Sequence, residues 1–169
     1  MSAGTRRARL VLVVFTAMAM SAAIAVFATL GLAADPPTAQ REALAAQNNP
    51  IGGKGRTLAL SRVTIPAGAQ LALHHHAGTQ VAFIDKGVLT YAVEAGQVVV
   101  RKGPAEGKNK VVRRIGPGQT GSIQTGQWIV EEPTTIHKAA NNGTGPVVVY
   151  LSSLFPIGSP PSIPQNPAP

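Results

Sequence analysis

The sequence of 169 residues contains no cysteine. Disulfide bonds, thiolate nucleophiles and cysteine-ligated zinc sites are therefore excluded. A domain without disulfides must draw its stability from a packed core and from any ion that it binds. The length suits one such domain.

Acidic residues are also scarce, with seven Asp and Glu against fifteen Lys and Arg, a formal net charge of +8. Three of the basic residues, Arg6, Arg7 and Arg9, precede Asp35, so the sequence from there onward holds twelve basic and seven acidic residues, a net +5. The densest basic stretch, residues 101–114, has no aromatic residue that could stack on bases. We therefore predict no nucleic-acid partner, and a weak attraction to anionic molecules stays open.

Long apolar runs are absent except at the N-terminus, where residues 10–34 follow the three arginines. Basic residues before an apolar stretch are typical of a secretory signal. Cleavage after Ala33 or Ala34 is favoured, because the run ends in small residues. The alternative is an uncleaved membrane anchor, since the run can span a bilayer as a helix. Either way we expect an exported domain: periplasmic, extracellular or anchored and facing outward.

The remaining sequence divides into a connector over residues 35–55, a barrel over 56–155 and a proline-rich tail over 156–169. In the connector, Thr38 to Gln47 is predicted as a short helix, because Thr38 can cap it and Ala, Glu, Leu and Gln propagate it. The tail holds six of the fourteen prolines and is predicted as a loose segment or a strap along the barrel.

The central part has an all-β pattern, in which apolar runs of strand length alternate with Gly, Pro and Asn clusters. Many short strands at this spacing favour a sandwich or a barrel. The predicted strands are Thr57–Ile65, Gln70–His75, Gln80–Asp85, Val88–Val93, Gln97–Lys102, Val111–Ile115, Gly121–Ile123, Trp128–Glu131, Ile136–Ala140 and Val147–Leu154.

Three of the four histidines are consecutive. Because strand side chains alternate between faces, His74 and His76 share one face and His75 points the other way. Two imidazoles on one face form a natural chelate. Gln80 follows a short turn, so its amide oxygen can return to the same point on the next strand. Only a closed barrel would also bring the distant His137 there.

The spacing of these residues resembles the first motif of the cupin superfamily. That motif has Gly, five residues, His-x-His, three or four residues, Glu, six residues and Gly. Here it extends from Gly68 through His74, His76 and Gln80 to Gly87, with every spacing kept and Gln80 in place of the glutamate.

The second cupin motif has Gly, five residues, Pro-x-Gly, two residues, His, three residues and Asn. It is matched between Gly126 and Asn141, with His137 at the correct distance from the asparagine. The departures from this motif include one extra residue before Pro133 and Thr135 where glycine is usual.

What the resemblance implies is a single-domain cupin jelly-roll barrel that holds a divalent metal ion with His74, His76, Gln80 and His137. The ligand types suit Mn, Fe, Ni, Cu or Zn. Loss of the glutamate would leave the ion its full charge and favour an anionic or sugar-like ligand. One of Glu131 and Glu132 could face the cavity as an acid or base, but the extra residue before Pro133 obscures the register, and both are predicted to be exposed.

Two functions follow from this resemblance. The first is a metal-dependent enzyme that acts on a small molecule as an oxygenase, isomerase or lyase. The alternative is a non-catalytic cupin that binds or senses a small ligand and holds its metal for structure. A homodimer is one expected assembly, since pairing would protect exposed edge strands.

Overall fold

The computed structural model describes residues 35–104 and 107–166, so the predicted signal or anchor over residues 1–34 lies outside the described residues. The described part contains twelve β-strands and no α-helix, which confirms the all-β prediction. No helix in these two ranges is long and apolar enough to cross a membrane.

The ten predicted strands correspond to β2 through β11, and their ends agree within two residues. Two further strands, β1 and β12, lie outside the predicted barrel. In chain order the strands are β1 Gln40–Asn48, β2 Arg56–Ile65, β3 Gln70–His75, β4 Thr79–Lys86, β5 Val88–Ala95, β6 Val98–Lys102, β7 Lys110–Ile115, β8 Gln119–Gln124, β9 Gln127–Glu131, β10 Ile136–Ala140, β11 Val147–Pro156 and β12 Ile163–Pro164.

The strands form two sheets. The seven-stranded sheet has the order β1-β2-β11-β4-β9-β6-β7, and the five-stranded sheet has the order β12-β3-β10-β5-β8. From β3 to β6 and again from β8 to β11, each strand lies in the opposite sheet from the one before it. This crossing is typical of a jelly roll. It also pairs strands that are distant in sequence, β3 with β10 and β4 with β9.

The core lies between the two sheets and consists mainly of Val, Ile and Leu. Ile84, Val100, Ile123 and Ile129 are completely buried. Burial of one such side chain contributes roughly 1.5–3 kcal/mol to the free energy of unfolding. The same interior also holds a group of buried polar side chains, His76, Gln80, Glu131 and His137.

The residues predicted as a helix form a strand instead, so that prediction is wrong. Strand β1 pairs antiparallel with β2, and all nine of its residues are exposed. A short isolated helix is only marginally stable even when it is rich in alanine, whereas the open edge of β2 offers a row of backbone hydrogen bonds. The register sets Arg41 beside the buried Val63.

The described part of the tail is a strap rather than a loose segment. Strand β12 pairs with β3, with Ile163 opposite His75 and Pro164 opposite His74. The backbone N–H of Gln165 also donates to the carbonyl of Leu73. The chain beyond the barrel therefore runs along the strand that carries two of the histidines.

Candidate metal centre

Three imidazoles meet in the interior of the barrel. The pairing of β3 with β10 sets His74 directly opposite His137, and His76 follows one residue after the end of β3. One ring nitrogen from each of the three lies within 4.8 Å of the others. Three imidazoles at this separation fit a site for a metal ion.

Backbone carbonyls fix the orientation of all three rings. Nδ1 of His74 lies 2.7 Å from the carbonyl oxygen of Ala72. Nδ1 of His76 lies 2.8 Å from that of Pro161, and Nδ1 of His137 lies 3.2 Å from that of Thr135. Because a carbonyl can only accept, each Nδ1 carries the proton and each Nε2 carries a lone pair. Metal-binding histidines are oriented in this way by their other ring nitrogen.

The middle histidine is not part of this group. His75 lies opposite Ile163, and its Nδ1 is 2.9 Å from the side-chain nitrogen of Gln165. Strand alternation thus selects two of the three consecutive histidines, as predicted.

Burial keeps two of the imidazoles neutral. His76 is 4% exposed and His137 is 2% exposed. The ring of His137 stacks on Tyr91 with centroids 4.8 Å apart, and that of His76 stacks on Phe155. Burial lowers the pKa of His76 and lowers the pKa of His137 to about 4, although the carboxylate of Glu131 opposes both shifts. Neutral imidazole is the form that binds metal.

Gln80 lies beside the imidazoles on β4 and is 2% exposed. Its Nε2 lies 2.9 Å from Nε2 of His76 and 2.5 Å from Oε2 of Glu131. Since both neighbours are acceptors, the amide nitrogen faces the imidazoles. The amide oxygen is buried and has no hydrogen-bond partner within the described residues.

Glu131 is the residue that sequence reasoning missed. We predicted it to be exposed, and this is wrong, because it is only 4% exposed. It lies on β9 directly opposite Gln80, and alternation along β9 buries Gln127, Ile129 and Glu131 on one face. Glu132 is exposed, as predicted. Alternation counted from Ile129 could have found Glu131, but β9 has apolar residues on both faces and the extra residue before Pro133 obscured the register.

The carboxylate of Glu131 is surrounded by ring nitrogens and donors. Its Oε1 lies 3.2 Å from Nε2 of His137, and its Oε2 lies 3.5 Å from Nε2 of His76. The hydroxyl of Tyr91 donates to Oε1 at 2.7 Å. Burial alone would raise the pKa of Glu131, but attraction to His137 and His76 in their protonated forms and the hydrogen bonds from Gln80 and Tyr91 hold it below its usual value.

The three imidazoles and Glu131 line a cavity of about 400 Å³. This volume suits a small molecule. Much of the remaining wall is aliphatic, and it comes from both sheets: Val63, Ile65, Leu71, Leu73, Leu89, Val149 and Leu151. Arg41 on β1 adds a positive charge to the wall, and Pro161, Ser162 and Pro164 of the tail complete it.

No protein-family model matches the chain, and no curated protein matches it. Solved structures do match. The L-ribose isomerase of Geodermatophilus obscurus is 12% identical with a TM-score of 0.51, over 71% of this chain and 62% of the isomerase. A cupin 2 domain-containing protein from Halorhodospira halophila is 11% identical with a TM-score of 0.49, over 76% of this chain and 71% of that one. The oxalate decarboxylase of Lactobacillus farciminis is 19% identical with a TM-score of 0.42, over 64% of this chain and 26% of that one.

At these identities the likeness is one of fold. The all-β jelly-roll architecture that the resemblance to the cupins implied is present in the chain.

Proposed function

We propose that this chain is an exported, metal-dependent cupin that binds a small molecule at the ion and acts on it. The observation that carries the proposal is the convergence of three oriented imidazoles on the wall of a cavity. In a metal site held only for structure the protein fills every coordination position, whereas a catalytic site keeps a position open. Three imidazoles that face a cavity favour the second kind.

The residues fit a divalent ion. Each of the three Nε2 atoms offers a lone pair, because each Nδ1 donates to a carbonyl. Gln80 adds a buried amide whose oxygen is unpaired in the present arrangement, and rotation of the amide would turn that oxygen toward an ion. The proposed ligand set is therefore His74, His76 and His137, with Gln80 as the fourth residue predicted from the motif.

A bound divalent ion would supply Lewis acidity toward a carbonyl or hydroxyl oxygen of the bound molecule. Imidazole ligands suit Mn, Fe, Ni, Cu and Zn, so the identity of the ion is left to measurement. The protein itself would bind and orient the molecule. The aliphatic wall would exclude water from the reacting group, and the carbonyl-anchored rings would keep the site rigid.

Arg41 supports a ligand that carries negative charge. Arg41 belongs to the cavity wall, which is otherwise largely aliphatic. A guanidinium presents a planar fork of donors to a carboxylate or a phosphate. We therefore propose a small anionic or sugar-like molecule, with its charged end toward Arg41 and its reactive end toward the histidines.

A non-catalytic binding or sensing cupin is the second candidate, since the same cavity could hold a ligand without converting it. Product formation would separate the two. The loaded protein would be incubated with panels of sugars and hydroxy-acids, and retained ligand or released product would be identified by mass spectrometry. Export is proposed on the apolar segment of residues 10–34 alone.

The metal content of the full-length chain tests the proposal. We expect about one divalent ion per chain, and His74→Ala or His137→Ala should each lower the content by at least tenfold. His75→Ala is the matched control, because it removes a neighbouring imidazole that lies outside the group. Wild-type protein that takes up no divalent ion, or a content that depends equally on His75, would refute the proposed site.

A further inference from the structure

We propose that Glu131 is the carboxylate ligand of this site, supplied from β9 in place of the glutamate that the cupin motif would carry at position 80. The inference rests on the proposed metal site and changes its fourth ligand: Glu131 would bind the ion, and the Gln80 amide would keep its present orientation with its nitrogen toward Glu131. Gln80 and Glu131 are direct cross-strand partners. The carboxylate is therefore displaced by one strand and stays next to the same imidazoles.

Distances support this assignment. Two ligand atoms about 2.1 Å from one ion, with an angle between tetrahedral and octahedral values, are roughly 3.0–3.5 Å apart. Oε1 of Glu131 lies 3.2 Å from Nε2 of His137, and Oε2 lies 3.5 Å from Nε2 of His76. Both separations fall in the range expected for ligands that share an ion.

The facing atoms of His137 and Glu131 favour a cation between them, whereas Nε2 of His76 already accepts from the Gln80 amide. The Nε2 atoms of His76 and His137 present lone pairs, since their Nδ1 atoms donate to carbonyls. The carboxylate of Glu131 can only accept. Acceptors that face one another in a buried interior repel, and an ion between them converts the repulsion into coordination.

Donors hold the carboxylate in one orientation. Tyr91 donates to Oε1 at 2.7 Å, and the amide nitrogen of Gln80 donates to Oε2 at 2.5 Å. Ligating carboxylates are hydrogen-bonded in this way by the residues around a metal site. The arrangement also explains the glutamine: a second carboxylate at position 80 would repel Glu131, whereas an amide supplies a donor to it.

The assignment changes the expected charge of the site. Three neutral imidazoles and one carboxylate would cancel one of the two positive charges of a divalent ion. The expectation that the ion keeps its full charge, drawn from Gln80 alone, is replaced. Preference for an anionic ligand would then depend more on Arg41 than on the ion.

The test exchanges the two partner side chains. Co²⁺ binding to the full-length chain would be followed by calorimetry and by visible absorption for wild type, Glu131→Gln, and the double variant Gln80→Glu with Glu131→Gln. We expect Glu131→Gln to weaken Co²⁺ binding by at least tenfold and to alter the visible spectrum. The double variant restores a carboxylate at the opposite position and should recover the affinity to within about threefold.

Two controls keep the test specific. Glu132→Gln removes the adjacent exposed carboxylate, which accepts from Thr79, and should leave Co²⁺ binding unchanged. Tyr91→Phe removes one hydrogen bond but keeps the Glu131 carboxylate, so its effect should be smaller than that of Glu131→Gln. Circular dichroism would establish that each variant is folded.

The outcomes separate this inference from the proposed function. Wild type that binds no Co²⁺ defeats the metal site itself. Wild type and Glu131→Gln with equal affinity and equal spectra defeat only the ligand role of Glu131. A folded double variant that stays as weak as Glu131→Gln also contradicts it. If Glu131→Gln does not fold, infrared difference spectra of wild type decide: Co²⁺ should shift a carboxylate stretch, and no shift overturns the inference.

Discussion

At the scale of single residues, the site depends on side chains whose partners are backbone atoms. His137 is fixed by the carbonyl of Thr135, by stacking on Tyr91 and by nearly complete burial. These contacts present one ring nitrogen to the interior. They also make protonation of the ring costly, because a buried imidazolium loses its hydration.

Stability of the metal-free chain should therefore fall in mild acid. Burial lowers the pKa of His137 from 6.5 to about 4 in the folded state, so the unfolded chain takes up a proton first as the pH falls. Above pH 6.5 the ring is neutral in both states and does not lower the stability. As the pH falls from 6.5 toward 4, the free energy of unfolding decreases by up to about 3 kcal/mol. His76 acts in the same direction.

Urea unfolding with a chelator present, at pH values from 7.5 to 4, measures this loss. His137→Gln should flatten the profile over that range, whereas His75→Gln should leave it as in wild type. An equally steep loss in His137→Gln would show that another group is responsible.

Individual residues also show the limits of sequence reasoning. The histidines were identifiable because their spacing follows strand alternation and a family motif. Glu131 was missed because β9 has apolar residues on both faces, which hid the buried side of the strand. Arg41 was not identifiable, because it reaches the cavity only through the pairing of its segment with β2.

At the scale of elements, strands inside the sheets were easier to predict than strands at the sheet edges. Buried strands such as β4 and β11 carry their own pattern of apolar residues, so sequence alone located them. Strands β1 and β12 bury little and form because a neighbouring strand offers free backbone groups. No hydrophobic period marks such strands, and the alanine-rich β1 even has a helical composition.

The turn between β3 and β4 depends on a close approach to β11. A Cβ at Gly78 would overlap the carbonyl oxygen of Leu154 and lie 3.0 Å from the ring of Phe155, which stacks on His76. We predict that Gly78→Ala lowers the free energy of unfolding by about 1–3 kcal/mol and weakens metal binding, because the turn joins His76 to Gln80.

Thermal unfolding of the full-length chain measures the first effect, and Gly145→Ala is the matched control. A Cβ at Gly145 would meet nothing within 4 Å, so this change should be nearly neutral. Equal stability of the two alanine variants would contradict the close packing at Gly78.

At the scale of the whole molecule, the jelly-roll order of strands brings the site together. Consecutive strands cross between the sheets, so β3 meets β10 and β4 meets β9. Residues 74 and 137 become neighbours for this reason. The sequence predicted that a closed barrel would do this, but it did not determine the strand partners, which depend on packing between distant segments.

The tail and the first strand show how the parts around the barrel serve the site. Pro161, Ser162 and Pro164 line the cavity, and the carbonyl of Pro161 orients His76. Strand β1 contributes Arg41 to the same cavity. The segments predicted as connector and tail thus help to build the cavity at which the histidines meet.

An anomalous-difference map of crystals of the full-length chain grown with Co²⁺ tests the central claim most directly. We predict one ion about 2.0–2.2 Å from Nε2 of His74, His76 and His137, with an oxygen of Glu131 at a similar distance. An ion bound elsewhere, or three histidines in their present positions with no anomalous density between them at saturating Co²⁺, would contradict the account.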